Sequence, residues 1–338
     1  MTVLPSGILA VTLGEPAGIG PELILAAWRN RAAGTPPFVA LADPDHLERL
    51  ARTLGWDVSV ARVATPAEAE HIFPQQLPVV PLGGAITGVP GKPEAANAPL
   101  VIEAIERAVQ LARDGLVSGL VTMPINKHVL QKAGFGFPGH TEFLGHLAGA
   151  GAVPVMLLAV RGLRVVPVTV HISLSEVARQ LSSLRIVDAG RILAAALKRD
   201  FGIPAPRIAV AGLNPHAGEA GTIGHEDIDI IAPAIRQLQA EGITVTGPHP
   251  ADSLFHAEAR ERYDAALCMY HDQALIPLKT IDFHKGVNIT IGLPFVRTSP
   301  DHGTAFDIAG TGRARPDSTL AALHMATRMA AARAAVSG

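Results

Sequence analysis

Ala265-Ala266-Leu267-Cys268-Met269-Tyr270-His271 is an apolar run that ends on a histidine, and the chain repeats that plan twice. The other two are Val165-Val166-Pro167-Val168-Thr169-Val170-His171 and Ile208-Ala209-Val210-Ala211-Gly212-Leu213-Asn214-Pro215-His216. Each reads as a buried strand running into a polar loop, since short apolar runs bounded by turn residues suit a parallel sheet covered on both faces. In an open parallel sheet the carboxyl ends of the strands lie along one edge, and ligands bind there. Three imidazoles delivered to that edge, His171, His216 and His271, can hold a divalent metal and leave positions open for a substrate. Their spacing matches no local metal signature. The plain alternative is three unrelated histidines, each satisfied by a backbone carbonyl.

Working outward, strand-like and helix-like runs alternate along the chain, which predicts an α/β fold with a mostly parallel sheet. A first strand at Ile8–Leu13 breaks at Gly14-Glu15-Pro16-Ala17-Gly18-Ile19-Gly20, and Pro21-Glu22 opens a helix. A strand at 38–41, helices at 44–54 and 98–113, and a strand at 116–122 follow, with 60–95 reading as loop. Helices are expected at 186–198, 228–240 and 318–335, and Ser173-Leu174-Ser175-Glu176 reads as a capping box. The 338 residues suggest about two domains. With no linker of disordered composition, the chain must cross between them more than once. The expected lobes are 1–126 with 281–338, and 127–280.

Composition narrows the function. Hydrophobic residues make up 48% and mean hydropathy is +0.29, so a large core is available. A net charge of −2 gives no global field for nucleic acid or an anionic membrane, so an anionic substrate must be caught by local cations. The single cysteine, Cys268, excludes an intramolecular disulfide and a cysteine-rich zinc site. Met1–Ala10 has no basic leader region, and the apolar stretch at 147–160 is too short for a membrane helix. A cytoplasmic protein is expected.

Further constellations carry chemistry. Pro138-Gly139-His140-Thr141-Glu142-Phe143 offers backbone N–H groups, an imidazole and a hydroxyl to an anion, or else is a helix cap at Thr141. Lys279 and Arg297 each follow an apolar run, with Asn288 between them, and a guanidinium matches phosphate or carboxylate; Lys285 reads as surface. Asp272 and Gln273 follow His271 and can orient it. The segments 14–20 and 301–312 are glycine-rich, each alone a weak phosphate-loop signal.

Together these segments resemble the 4-hydroxythreonine-4-phosphate dehydrogenase family of pyridoxal phosphate biosynthesis. The likeness rests on Gly-Glu-Pro-Ala-Gly-Ile-Gly-Pro-Glu at 14–22, Pro-Ile-Asn-Lys at 124–127, Gly-His-Thr-Glu-Phe-Leu at 139–144 and Asn-Pro-His-Ala-Gly-Glu at 214–219. It continues through Pro-Ala-Asp-Ser-Leu-Phe at 250–255, Met-Tyr-His-Asp-Gln at 269–273, Gly-Val-Asn-Ile-Thr-Ile-Gly-Leu-Pro-Phe-Val-Arg-Thr-Ser at 286–299 and Asp-His-Gly-Thr-Ala at 301–305. Departures are Ser253, Ala274 and the stretch Thr222–Asp227.

The resemblance implies an isocitrate/isopropylmalate dehydrogenase-like fold: two α/β/α lobes with a cleft, in a homodimer whose active site is shared at the interface. It implies His171, His216 and His271 as ligands of one divalent ion (Zn, Mg, Co, Mn or Ni), one of them supplied across the interface. It implies His140, Thr141, Lys279, Asn288 and Arg297 as substrate-binding residues. It places NAD or NADP at Glu15, Gly18, Gly20, His302, Gly303, Thr304 and Asp307; the loop 302–310 is similar to the cofactor loop of isopropylmalate dehydrogenases, with Phe306 where they carry Pro. The implied reaction is oxidation of 4-phosphohydroxy-L-threonine followed by decarboxylation, with Lys279 or Asp272 as base. The alternatives are a paralogue acting on a phosphorylated sugar acid such as threonate or erythronate 4-phosphate, a metal-dependent phosphoryl-transfer enzyme, and a non-catalytic metabolite binder.

Overall fold

The computed structural model describes residues 7–337, so Met1–Ser6 of the N-terminal stretch read above lie outside the described residues. The strands are β1 (Leu9–Thr12), β2 (Phe38–Ala42), β3 (Val60–Arg62), β4 (Leu77–Pro81), β5 (Gly119–Thr122), β6 (Val155–Val160), β7 (Leu163–Thr169), β8 (Arg207–Ala211), β9 (Thr244–His249), β10 (Ala265–Tyr270), β11 (Val287–Ile291) and β12 (Arg297–Pro300). The chain divides into two compact units. One holds the residues up to Pro154 with Leu293–Ala334, the other Val155–Gly292 and the residues from Ala335. The sequence reading expected these divisions near 126 and 280.

In the first unit the strand order is β3-β4-β2-β1-β5-β12 and every pairing is parallel. β1, β2 and β5 are buried along their whole length. That is why they read as unbroken apolar runs rather than alternating ones. The helix Ala98–Arg113 buries Val101, Ala104, Ile105, Ala108 and Val109, the stripe that a 3.6-residue period predicts. The stretch 60–95, read as loop, holds β3, the helix Pro66–Ile72 and β4. Two prolines in Leu77-Pro78-Val79-Val80-Pro81 hid β4, because proline normally marks an edge or a break. Here Pro78 lies opposite Ala61 of the three-residue β3, and Pro81 closes the strand.

In the second unit the order is β11-β6-β7-β10-β8-β9. β7, β10, β8 and β9 run parallel, while β6 is antiparallel to both β7 and β11. The three histidine-ended runs are therefore side by side: Ala266 pairs with Val165 of β7 and with Ala209 of β8. Val165, Ala209, Ala266 and Cys268 pack into one apolar cluster with Leu158, Ala274 and Leu278. Thr169 Oγ1, also buried, donates to the Met269 carbonyl at 2.7 Å, tying β7 to β10 just before their histidines. Ser173 does stand at the start of a helix, Leu174–Gln180, but it makes no capping hydrogen bond; its hydroxyl meets Ser175 at 2.9 Å, and Glu176 binds Arg179.

The architecture is the α/β class expected. Among the described residues no helix is long and apolar enough to cross a membrane.

The turn after β1 demands glycine. Gly14 has φ 72°, and a Cβ there would stand 2.7 Å from both the Met123 Cβ and the Pro124 carbonyl oxygen. Gly14→Ala is expected to lower unfolding free energy by about 1–3 kcal/mol in a denaturant titration; an unchanged midpoint would contradict this packing.

Candidate metal and substrate site

Because β7, β10 and β8 are parallel neighbours, their carboxyl ends share one edge. His271 is the first residue of the helix His271–Ile281, directly after β10. His171 follows β7 with φ 50°. Their ring centroids are 5.7 Å apart, at an interplanar angle of 44°. Two imidazoles sharing one ion through metal–nitrogen bonds of about 2.0–2.1 Å bring their centroids to roughly 5–6 Å, so this pair fits. Both rings line a cavity of about 210 Å³ with Thr169, Val177, Tyr270 and Asp272. His271 Nδ1 lies 2.7 Å from Asp272 Oδ1, which leaves Nε2 to face a ligand. Asp272, with its side chain 69% exposed, is thus engaged in orienting an imidazole.

His216 lies elsewhere. It is exposed, on the turn Pro215–Gly221, and is not part of that cavity. Among the described residues no group of three or more His, Cys, Asp or Glu forms a metal cage within this chain. The backbone at 216–220 is left-handed throughout, with φ between 44° and 80°. For residues other than glycine that costs about 1–2 kcal/mol each. Among the described residues six non-glycine positions have positive φ: His171, His216, Ala217, Glu219, Ala220 and Ala305. Five of them fall in segments that the sequence reading picked for chemistry, and Ala220 directly follows one.

Lys279 lies on the helix of His271, about 12 Å along its axis. It is half-buried, with Nζ 5.4 Å from the Phe283 ring centroid. Asn288 is half-buried in β11, opposite Leu158.

The first unit holds a basic cluster. Arg297 opens β12 and is 3% exposed; its Nε and Nη2 donate to Thr122 Oγ1 at 3.1 and 2.7 Å. Burial pushes its pKa down to about 10, so an anion beside it would be bound strongly. His140 starts the helix His140–Ala148, whose cap is Gly139, so the alternative cap at Thr141 falls inside the helix. His140 is half-buried, but its Nε2 is closed off from solvent and has no hydrogen-bond partner. Burial, then the charges of Arg297 and Lys127, hold this imidazole well below its ordinary range. Burial thus favours the uncharged form of the ring. Lys127 was not singled out from the sequence. A Cβ on Gly139 would stand 3.1 Å from its Nζ, so the glycine makes room for the ammonium.

The two glycine-rich segments of the first unit meet. Ile19 N donates to the Thr304 carbonyl at 3.0 Å, and a Cβ on Gly18 would stand 2.9 Å from that same oxygen. Glu15 is buried, accepts from Ala17 N at 3.2 Å, and has its pKa raised by burial. Gly20 packs on the Leu13 carbonyl. His302, Thr304 and the exposed Gly303 and Asp307 lie on the second segment, where open space surrounds Gly303. Glu22, also missed, joins the two segments: its fully buried carboxylate accepts from Gly310 N at 2.9 Å and Ala314 N at 3.0 Å. His46, buried against the Pro16 carbonyl, is a third omission. Burial first, then Arg49, lowers its pKa to about 4.

The family described as Pyridoxal phosphate biosynthetic protein PdxA matches residues 34–326. The chain belongs to that family. It is 54% identical over 95% of its length to the 4-hydroxythreonine-4-phosphate dehydrogenase of Methylorubrum populi, 94% of which is covered. The crystal structure of the enzyme of that name from Klebsiella pneumoniae superposes with a TM-score of 0.87 at 40% identity, covering 96% of this chain and 100% of that one. A terephthalate 1,2-cis-dihydrodiol dehydrogenase from Burkholderia xenovorans gives 0.64 at 32% identity, covering 95% and 97%. The segments 124–127 and 139–144 meet in the basic cluster around Lys127 and His140.

Two predictions follow from the buried groups. Glu22→Ala leaves two buried N–H groups without an acceptor and is expected to cost about 3 kcal/mol in unfolding free energy; a loss below 1 kcal/mol would refute the tie. Below pH 6.5 the unfolded chain protonates His46 while the folded chain resists until about pH 4. His46 therefore contributes stability that is complete above 6.5 and is lost as pH falls through that window. His46→Gln should flatten the decline in melting temperature between pH 6.5 and 4; an unchanged slope would contradict it.

Proposed function

We propose that this chain oxidises the secondary hydroxyl of 4-phosphohydroxy-L-threonine with NAD or NADP, in a step of pyridoxal 5′-phosphate biosynthesis. The product, 2-amino-3-oxo-4-phosphooxybutanoate, decarboxylates to 3-amino-2-oxopropyl phosphate. The reading is carried by the His171–His271 pair that lines one cavity, in a chain of this family. When bound, a divalent ion (Zn, Mg, Co, Mn or Ni) supplies Lewis acidity to substrate oxygens and the nicotinamide accepts hydride. His171 and His271 would hold the ion through neutral imidazoles. Asp272 keeps the His271 ring in place.

Lys279 Nζ takes the hydroxyl proton in this reading, because Asp272 Oδ1 is engaged with His271. Arg297, His140, Thr141 and Lys127 hold the phosphate: one buried guanidinium, one imidazole nitrogen with spare capacity, one hydroxyl and one ammonium suit a dianion. Asn288 hydrogen-bonds the polar groups of the substrate. Glu15, Gly18, Gly20, His302, Gly303, Thr304 and Asp307 form the nucleotide site in this reading, supported by the packing of Gly18 on the Thr304 carbonyl and the open space at Gly303.

His216 completes the ion's ligand set from a second copy in a homodimer. Its exposure on the left-handed turn supports this. So do the exposed Leu174, Leu184, Ile276 and Phe283 of the same unit, apolar surface of the kind an interface covers. We place the enzyme in the cytoplasm, which keeps the lone thiol of Cys268 reduced.

The test is NAD(P)H formation by purified protein on 4-phosphohydroxythreonine, with threonate 4-phosphate as comparator. Turnover on the amino acid, abolished by a chelator and by His271→Ala, is expected. Arg297→Met should raise KM by about 100-fold. Turnover on the sugar acid alone, or phosphate release without nucleotide reduction, would overturn the proposal.

A further inference from the structure

The left-handed turn that carries His216 is costly for its alanines and its glutamate, so other groups must impose it. Asp227 lies beneath it, 1% exposed. Its Oδ1 accepts from Leu213 N at 2.8 Å, and its Oδ2 accepts from Asn214 N at 3.1 Å and Asn214 Nδ2 at 2.9 Å. The carboxylate thus collects three donors from the two residues that lead into the turn. It also fills the space under both ends: a Cβ on Gly212 would stand 2.7 Å from Oδ1, and one on Gly218 3.4 Å from Oδ2.

The far side is closed locally. Ile223 N donates to the Gly218 carbonyl at 3.1 Å, and Thr222 Oγ1 to the Glu219 carbonyl at 2.6 Å. The start of the loop is tied to the end of β10 through buried Gln273. Its Nε2 donates to the Gly212 carbonyl and its Oε1 accepts from Met269 N, both at 2.7 Å. Gln273 therefore joins the arm of His216 to the strand that carries His271.

We propose that Asp227 is a positioning residue that locks the 216–220 turn, so that His216 is held preset for a divalent ion it shares with the His171–His271 pair of a second copy. This rests on the reading of His216 as a ligand given above. The chemistry required of Asp227 is specific. An aspartate offers acceptors on both oxygens, whereas an asparagine of the same shape turns one N–H group toward another donor. The turn then relaxes toward ordinary backbone and His216 loses its aim without any change in the ligand itself.

The experiment is titration of the dimeric, metal-stripped protein with Co²⁺, read by calorimetry and by the visible absorption of the bound ion. Asp227→Asn is expected to bind 10–100-fold more weakly than the parent. His216→Ala is expected to bind at least as weakly, with an altered cobalt spectrum. Adding Ala217→Gly and Ala220→Gly to Asp227→Asn should recover part of the affinity, because glycine adopts the left-handed backbone readily.

Should Asp227→Asn fail to fold, Asn214→Ala removes one of the three donors and should weaken binding several-fold. Parent-like affinity in whichever of these two variants folds, with His216→Ala weak, overturns the positioning role while leaving the ligand reading intact. Parent-like affinity and spectrum in His216→Ala overturn the ligand reading itself.

Discussion

Parallel pairing of β7, β10 and β8 is the constraint on which the candidate chemistry depends. A parallel sheet sends every strand out at the same edge, so runs far apart in sequence deliver their terminal residues to one place. The apolar cluster of Val165, Ala209, Ala266 and Cys268 holds the register. The Thr169 hydroxyl fastens β7 to β10 two residues before each histidine. Burial of these strands thus does two things with the same residues: it supplies the core of the second unit, and it fixes the spacing of His171 and His271.

Backbone strain is concentrated where function is proposed. Positive φ at His171, at 216–220 and at Ala305 marks the arms and loop that carry candidate metal and nucleotide residues. Such conformations persist only when their surroundings over-determine them. For 216–220 the surroundings are Asp227, Gln273 and the local bonds of Thr222 and Ile223. The first unit uses a different device, a buried carboxylate on Glu22 that binds two backbone N–H groups of the segment after Ala305. In both units a buried carboxylate, Asp227 or Glu22, ties down the backbone next to exposed candidate residues.

Much of this could be read from the sequence because the signals were local. Apolar runs ending on a histidine marked β7, β8 and β10, and the glycine-rich turn after β1 marked its junction with a helix. Local signals also misled. The prolines of β4 masked a strand, and β6 was hidden in an apolar stretch with glycine and proline before it. Lys127, Glu22, His46 and Asp227 escaped because their meaning comes from partners distant in the chain or from burial. Glu22 looks like an ordinary acid in a first helical turn until Gly310 and Ala314 close over it. Lys127 is exposed, and only the fold shows its ammonium against Gly139, twelve residues on. Likewise His216, on the turn that follows its strand, does not join the other two within one chain, and no spacing rule reports that.

The central claim is that one ion is shared by His171 and His271 of one copy and His216 of the next. An anomalous difference map at the cobalt edge, from crystals of the dimer grown with Co²⁺, tests it most directly. The account predicts one peak per site, about 2.0–2.3 Å from a nitrogen of each of the three imidazoles. A peak bound by other residues, or one on the His171–His271 pair with the partner's turn pointing elsewhere, would contradict it.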